Sequence, residues 1–396
     1  MTAEKCYLNT LGMLCSAGDT AASVKNNLMA KEAKLTITDN YSAGRPLPLG
    51  MYNGELPPIP LPDNKWYSRN NQFALAALRQ MDVDVSAAIQ HFGPHRVGVV
   101  IGTSTSGIAE CESSIKQWIQ TGNLPPDYNY SQQEMGATAQ FIAQILDVRG
   151  PAYGISTACS SGAKALATAR RLIRAGICDA VIAGGVDTLC HLTVQGFSSL
   201  EAVSENRCNP FSKNRDGINI GEGAALFLIT TEASGIELTG VGEGSDAHHI
   251  SAPDPTGAGA IRCMTAALKD GSISAAEVDY INLHGTATAL NDQMESIAIS
   301  QVFGEHTLCS STKPFTGHTL GAAGAVEAGI CWLTLNSTKT DSLLPIHLWD
   351  GVKDPELPPL NLITPKTKLT APPQYALSNS FAFGGNNISL LLGRIQ

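Results

Sequence analysis

Cys159 stands in the run Ile155-Ser156-Thr157-Ala158-Cys159-Ser160-Ser161-Gly162-Ala163-Lys164-Ala165-Leu166, where an apolar strand hands over to a helix of very small residues. A thiol at a helix N-terminus faces unpaired N–H groups and the positive end of the helix dipole. Both favour the thiolate, which predicts a pKa one or more units below the ordinary value of about 8.5. Gly162, Ala163, Ala165, Ala167 and Ala169 would let other backbone pack closely around this helix. Taken alone, the same cysteine also reads as a small buried hydrophobe.

Three further segments carry residues able to do chemistry. Leu283-His284-Gly285-Thr286-Ala287-Thr288 puts a histidine where an apolar strand opens into a polar loop. Strand ends of this kind are the usual location of catalytic groups in α/β folds; the alternative is a histidine that caps a turn. In Ser311 to Glu327, His318 immediately precedes a second Gly/Ala helix, repeating the design at Cys159. Glu327 lies about two and a half turns further on. Lys313 and Glu327 either pair to orient the site or are solvated charges. Asn379 to Asn387 is a glycine turn between two strands, flanked by Phe381 and Phe383, and adjacent glycines permit close approach of a ligand. Gly102 to Gly107 matches neither a dinucleotide fingerprint nor a P-loop.

The elements that must position these groups are visible as glycine-bounded apolar runs: Val97 to Gly102, Ala180 to Gly185, Ala224 to Ile229, Asp279 to Gly285, Ala376 to Phe381 and Ile388 to Leu392. Continuous runs predict strands buried on both faces. Helical patterns lie between them, at Ala163 to Ala175, Ile261 to Lys269, Met294 to Phe303 and Gly321 to Leu335. This alternation predicts an α/β architecture with largely parallel central sheets. A polar turn region near Thr230 to Gly240 separates two halves of similar rhythm, and the proline-rich segments Tyr41 to Lys65 and Ser342 to Pro373 read as surface connections.

With 396 residues, 43% apolar and 15% charged, the chain can bury a large core. A net charge of -9 argues against nucleic acid as the main partner. The ten cysteines show neither C-x-x-C pairs nor zinc spacing, so no metal site or disulfide framework is signalled. With no signal-peptide pattern and no membrane-length apolar run, the expectation is a reduced cytoplasmic enzyme.

In this order, the segments resemble the β-ketoacyl-acyl-carrier-protein synthases, elongating condensing enzymes of the thiolase superfamily. The resemblance runs from about Arg96 to the C-terminus and includes Asn209 to Gly217 and Gly221-Glu222-Gly223. It implies a thiolase fold: duplicated α/β halves in a five-layer α-β-α-β-α sandwich, with residues 1–233 carrying the nucleophilic cysteine and 234–396 the histidines. It also implies roles. Cys159 would take an acyl chain from a carrier-protein thioester. His284 and His318 would hold the malonyl thioester and promote its decarboxylation, by donating hydrogen bonds to the enolate oxygen. The backbone N–H groups of Cys159 and Phe383 would form the oxyanion hole for the condensation. Lys313 would stand beside the second histidine with Glu327 as its charged partner. Thr286 and Thr288 would contact the pantetheine arm, and Phe383 would gate an acyl pocket to which Phe197, Phe381 and Glu134 are also assigned. No cofactor is implied beyond the phosphopantetheine of the acyl carrier protein. The implied assembly is a homodimer, or a heterodimer with a chain-length-factor-like subunit. Both histidines favour elongation over initiation, and Phe383-Gly384-Gly385 stands where thiolases carry a second cysteine.

Two departures from the family pattern stand out. Glu201 is acidic where many relatives carry a basic carrier-protein contact, so docking would fall to Lys65, Arg69, Arg207 or Lys213, or to a partner subunit. Glu134 falls where relatives carry apolar or small pocket residues, in a region that usually lies at the dimer interface next to the end of the acyl chain. Either it lines the acyl pocket, pointing to an aryl, polyene or hydroxylated chain as in aryl polyene pigment pathways, or it is displaced by a turn and exposed. Two other classes remain: a non-catalytic or chain-length-determining partner subunit of another ketosynthase, against which intact Cys159, His284 and His318 count, and a Cys–His hydrolase, which explains neither the second histidine nor a long acyl pocket.

Overall fold

The computed structural model describes residues 4–29, 32–337, 344–367, 369 and 371–395. Ten strands form two sets of five. The N-terminal set is β1 (Tyr7–Cys15), β2 (Val97–Gly102), β3 (Ala152–Ile155), β4 (Ala180–Asp187) and β5 (Gly223–Thr230). The C-terminal set is β6 (Ile236–Ser245), β7 (Tyr280–Asn282), β8 (Leu308–Ser310), β9 (Tyr375–Phe381) and β10 (Asn386–Arg394). Their spatial orders are β3-β2-β4-β5-β1 and β8-β7-β9-β10-β6, one topology used twice. The sets meet where β1 and β6 share a single pair, Tyr7 opposite Glu237, and the short strand Asn361–Leu362 extends the far edge beside β8.

Within each set two neighbouring pairs are parallel and two are antiparallel, so the sheets are mixed rather than largely parallel. In the C-terminal half the cause is local. The turn of Ala382 to Gly385 between β9 and β10 is too short for the crossover a parallel pair needs.

Two helices fill the space between the sheets: α1 (Ser161–Arg174) and α2 (Ala323–Leu335). Nearly every residue of α2 is buried, Glu327 included, as expected of a helix covered on all sides. Residues of α1, α2 and the inner faces of both sheets form one core cluster; Phe73, Phe141 and Val99 belong to a second, outside the N-terminal sheet, and Met264, Met294 and Leu377 to a third, outside the C-terminal sheet. The result is five layers, helix–sheet–helix–sheet–helix. Full burial of a side chain such as Leu166, Phe227 or Leu390 contributes about 1.5–3 kcal/mol.

The central helices cross with their backbones in contact. A Cβ at Gly162 would lie 2.9 Å from Ala325, and one at Gly324 would lie 2.7 Å from Ala163. The small residues read from the sequence are required by this crossing. The proline-rich segments are not simply surface connections: Leu47 and Leu49 are buried, as are Leu344, Ile346 and His347, because apolar residues alternate with the prolines. Among the described residues, no helix is long and apolar enough to cross a membrane.

Candidate active site

Between β3 and α1 the chain turns sharply at Ala158, whose φ of 53° is left-handed and costs an alanine about 1–2 kcal/mol. The serines close this elbow. Ser161 Oγ accepts the Thr157 N–H at 2.8 Å and donates to the Ala158 carbonyl, while Ser160 Oγ donates to the Thr157 carbonyl at 2.8 Å. The turn lifts Cys159 to the inner end of a cavity of about 370 Å³, where the residue is 5% exposed.

The elbow also changes the expected chemistry of the thiol. Cys159 precedes the helix rather than capping it, and the Ser160 and Ser161 amides already donate within the turn, to Thr157 and Ala158. Burial pushes the Cys159 thiol up to about 12, against the opposing pull of the Lys313 ammonium and a hydrogen bond from the Phe383 backbone. The helix N-terminus therefore does not hold a resting thiolate. The sulfur instead lies 3.0 Å from His318 Nε2, which is placed to exchange its proton.

His284 follows β7. The buried carboxylate of Glu295, on the helix Ala289–Phe303, accepts the His284 and Gly285 N–H groups at 2.8 and 2.7 Å. His318 is held from the other half of the fold: its N–H donates to Asn219 at 2.6 Å, and its carbonyl accepts from Gly221 at 2.9 Å. The two imidazoles are edge to face, with ring centres 5.4 Å apart. Burial, reinforced by the nearby Lys313 ammonium, keeps both well below the usual histidine range, and therefore neutral.

Lys313 and Glu327 are a buried pair, not solvated charges. Lys313 Nζ contacts Glu327 Oε1 and the His284 carbonyl, and approaches His284 Nδ1 at 3.5 Å. Three acceptors thus match the three N–H bonds of an ammonium. Because an ammonium only donates, this contact leaves the His284 proton on Nε2. Burial pushes the Glu327 carboxyl up to about 7, with Lys313 drawing it down.

Thr286 and Thr288 line the same cavity, their hydroxyls 2.9 Å apart. Phe381 lies against His284 with ring centres 6.1 Å apart, and Phe197 and Phe383 face each other at 5.6 Å. Glu134 does not join them. It is exposed, at the end of the short turn Tyr130–Gln133, with its carbonyl accepting from Ser106 Oγ at 2.8 Å. Of the docking candidates, Arg69 is turned inward onto the buried carboxylate of Glu222 at 2.9 Å, and Lys65 lies over the Trp66 ring. Lys213 is exposed and Arg207 half-buried, while Glu201 lines the cavity wall.

Glu295 and a second buried carboxylate, Asp187, escaped the sequence reading. Asp187, at the end of β4, accepts from Thr103 Oγ1 at 2.6 Å, from the amides of Ser104 and Thr105, and from the Gly321 amide at 2.6 Å. The only available signal was the run of hydroxyls Thr103-Ser104-Thr105 beyond one strand and a carboxylate beyond another, more than eighty residues apart.

The sequence matches the Beta-ketoacyl synthase, N-terminal domain over residues 59–234 and the Beta-ketoacyl synthase, C-terminal domain over residues 236–346. It is 35% identical over 347 residues to a 3-oxoacyl-[acyl-carrier-protein] synthase 2 of Staphylococcus aureus, covering 83% of this chain and 82% of the relative. Among solved structures, it is similar to the ketosynthase ApeO of Xenorhabdus doucetiae, solved in complex with its chain length factor ApeC. That match has a TM-score of 0.92 and 45% identity, covering 99% of this chain and 98% of the other. A β-ketoacyl synthase from Burkholderia phymatum matches with a TM-score of 0.89 at 27% identity, covering 99% and 100%. The two repeated halves and five layers are the thiolase fold.

Proposed function

The chain belongs to the β-ketoacyl synthases, and from that membership we propose that it joins an acyl chain carried on Cys159 to malonyl-acyl-carrier protein, giving β-ketoacyl-acyl-carrier protein and CO2. The observation that carries the reading is the meeting of Cys159 Sγ and His318 Nε2 at 3.0 Å beside a second neutral imidazole in one cavity.

In the first step the sulfur attacks the acyl thioester. The Sγ–carbon bond forms, the bond to the pantetheine sulfur breaks, and the thiol proton passes through His318 to the departing thiolate. In the second, malonyl-acyl-carrier protein enters along Thr286 and Thr288, and His284 and His318 face its thioester. The carbon–carboxylate bond breaks and CO2 leaves. The electron pair moves into an enolate whose oxygen His284 stabilises from Nε2–H, the position left protonated by Lys313. The enolate carbon attacks the acyl carbonyl, and the developing oxyanion is held by the Cys159 and Phe383 amides. Sγ departs as a thiolate that takes a new proton from solvent by way of His318, the first having left on the carrier thiol. Atoms and electrons balance without a metal or redox cofactor. Phe197, Phe381 and Phe383 form the apolar walls near the sulfur.

The chain length factor bound to ApeO supports a heterodimeric assembly here, and the reading extends to an aryl-polyene type of elongation as the substrate class to be tested. The free cysteines support a cytoplasmic location. The test is a mass measurement on Cys159 after mixing with acyl-carrier protein, followed by addition of malonyl-carrier protein. The expected result is a stable adduct that malonyl-carrier protein converts to a β-ketoacyl product. Hydrolysis of the adduct without a malonyl donor, or failure to acylate, would refute the proposal. Repeating it with saturated and aryl-primed chains reads out the substrate class.

A further inference from the structure

His347 lies in the proline-rich segment that reads as a surface connection, yet it is 3% exposed and both of its ring nitrogens are engaged. Nδ1 accepts the backbone N–H of Ser311 at 3.1 Å. A backbone N–H only donates, so Nδ1 is unprotonated and the proton resides on Nε2, which donates to the Pro210 carbonyl at 3.0 Å. The ring also stands against Phe211 and Trp349, with centres 6.1 and 5.6 Å away, and its own N–H donates to the Ile363 carbonyl at 2.9 Å. One tautomer in one orientation is thereby fixed.

Ser311 passes this constraint to the reacting groups. Its hydroxyl donates to the Gly285 carbonyl at 2.7 Å, immediately beyond His284, and accepts from the Lys313 backbone at 3.4 Å. Lys313 in turn sets the tautomer of His284. Cys159, by contrast, is carried by the elbow before α1 in the other half of the fold. We infer that His347 is a positioning residue for the decarboxylating half of the site: through Ser311 it fixes the peptide behind His284 and the turn that carries Lys313. The inference rests on the proposed condensing function. An imidazole that merely filled space would affect both half-reactions through stability alone.

The test compares His347→Leu, His347→Asn and His347→Gln in two assays, the rate of Cys159 acylation from acyl-carrier protein and the release of CO2 from malonyl-carrier protein by the acylated enzyme. The leucine variant is expected to lose about 10- to 100-fold in CO2 release, the scale of a small misplacement of reacting groups, with acylation largely unchanged. Asparagine places an acceptor near the Nδ1 position and keeps the Ser311 bond, so it restores most of the loss. Glutamine reaches the Nε2 position and keeps only the Pro210 bond, so it does not. If the leucine variant fails to fold, the Asn/Gln pair carries the same comparison. Equal loss in both assays, wild-type rates in the leucine variant, or glutamine rescue equal to asparagine would overturn the inference. A wild-type protein that neither acylates nor releases CO2 would refute the proposed function itself, and the inference with it.

Discussion

Ala158, with φ of 53°, stands three residues before the start of α1, and Leu320, with φ of 49°, stands three residues before the start of α2. Gly321 therefore occupies in the C-terminal half the place that Cys159 occupies in the N-terminal half. Each elbow is met by the loop beyond the fourth strand of the opposite half. The Phe383 amide, beyond β9, reaches the sulfur, and the Asp187 carboxylate, ending β4, accepts from Gly321. The backbone solution is shared and the chemistry is not. At one elbow a side chain is presented to a cavity; at the other, which has no side chain, a buried carboxylate ties the turn down just beyond His318. The duplicated fold thus supplies one elbow that presents a thiol and one anchored elbow, and the anchored one holds His318 against that thiol.

The sharpest break in this comparison is Cys159→Ala, which should abolish both the acyl adduct and condensation while leaving the fold intact; an adduct on the variant would remove Cys159 from the centre of the mechanism. Asp187→Ala should be the most destabilising change at the second elbow. It strands the amides of Ser104 and Thr105 without an acceptor and leaves the Gly321 amide only Ser104 Oγ at 3.1 Å, at a cost on the order of 3 kcal/mol. Denaturant unfolding measures this, and a loss below about 0.5 kcal/mol would mean that water replaces the carboxylate and the anchor is dispensable.

Gly162→Ala and Gly324→Ala test the symmetry of the crossing itself. Each new methyl meets the facing helix under 3.0 Å, so each should cost about 1–3 kcal/mol, overriding the gain of about 1 kcal/mol from helix propensity. The double variant should cost less than the sum, because both changes push the same two backbones apart. Gly196→Ala, with no neighbour within 4 Å, should be neutral or slightly stabilising. Strongly unequal effects at 162 and 324 would show that the two helices are not equivalent partners.

A smaller effect distinguishes the C-terminal half by its response to pH. Burial holds His347 down to about 4, while an unfolded imidazole titrates near its ordinary value of about 6.5. Between those values the unfolded chain binds the extra proton, so stability rises with pH across that window. The wild-type protein should therefore show a steeper rise than His347→Asn between pH 4 and 6.5, by up to about 1.4 kcal/mol per unit. Parallel curves would indicate that His347 is already protonated in the fold.

Sequence legibility divides along the same line. Cys159, His284 and His318 were readable because each sits at a local boundary, an apolar run ending in a polar or small-residue turn. The two central helices were readable because close packing demands glycine and alanine. Asp187, Glu295 and His347 were not, because their meaning lies in partners that the fold brings together from distant segments. A carboxylate that ends a strand has the same local sequence whether it faces water or six donors. Burial reversed two other expectations, the depressed cysteine pKa and an Arg69 free to dock a partner, and it decided between the two readings of Lys313 and Glu327 in favour of the pair. Glu134 is exposed in the single chain, at the end of the short turn that precedes Ala137–Leu146.

The contact at Gly162 and Gly324 has a mechanical meaning. Cys159 and His318 each stand within two turns of chain of that crossing, so their spacing is gauged by two abutting main chains rather than by side chains free to change rotamer. Remodelling the aromatic walls leaves the gauge untouched. On the proposed function, the size of acyl chain admitted and the bond-making step performed on it can therefore vary as separate properties of one scaffold.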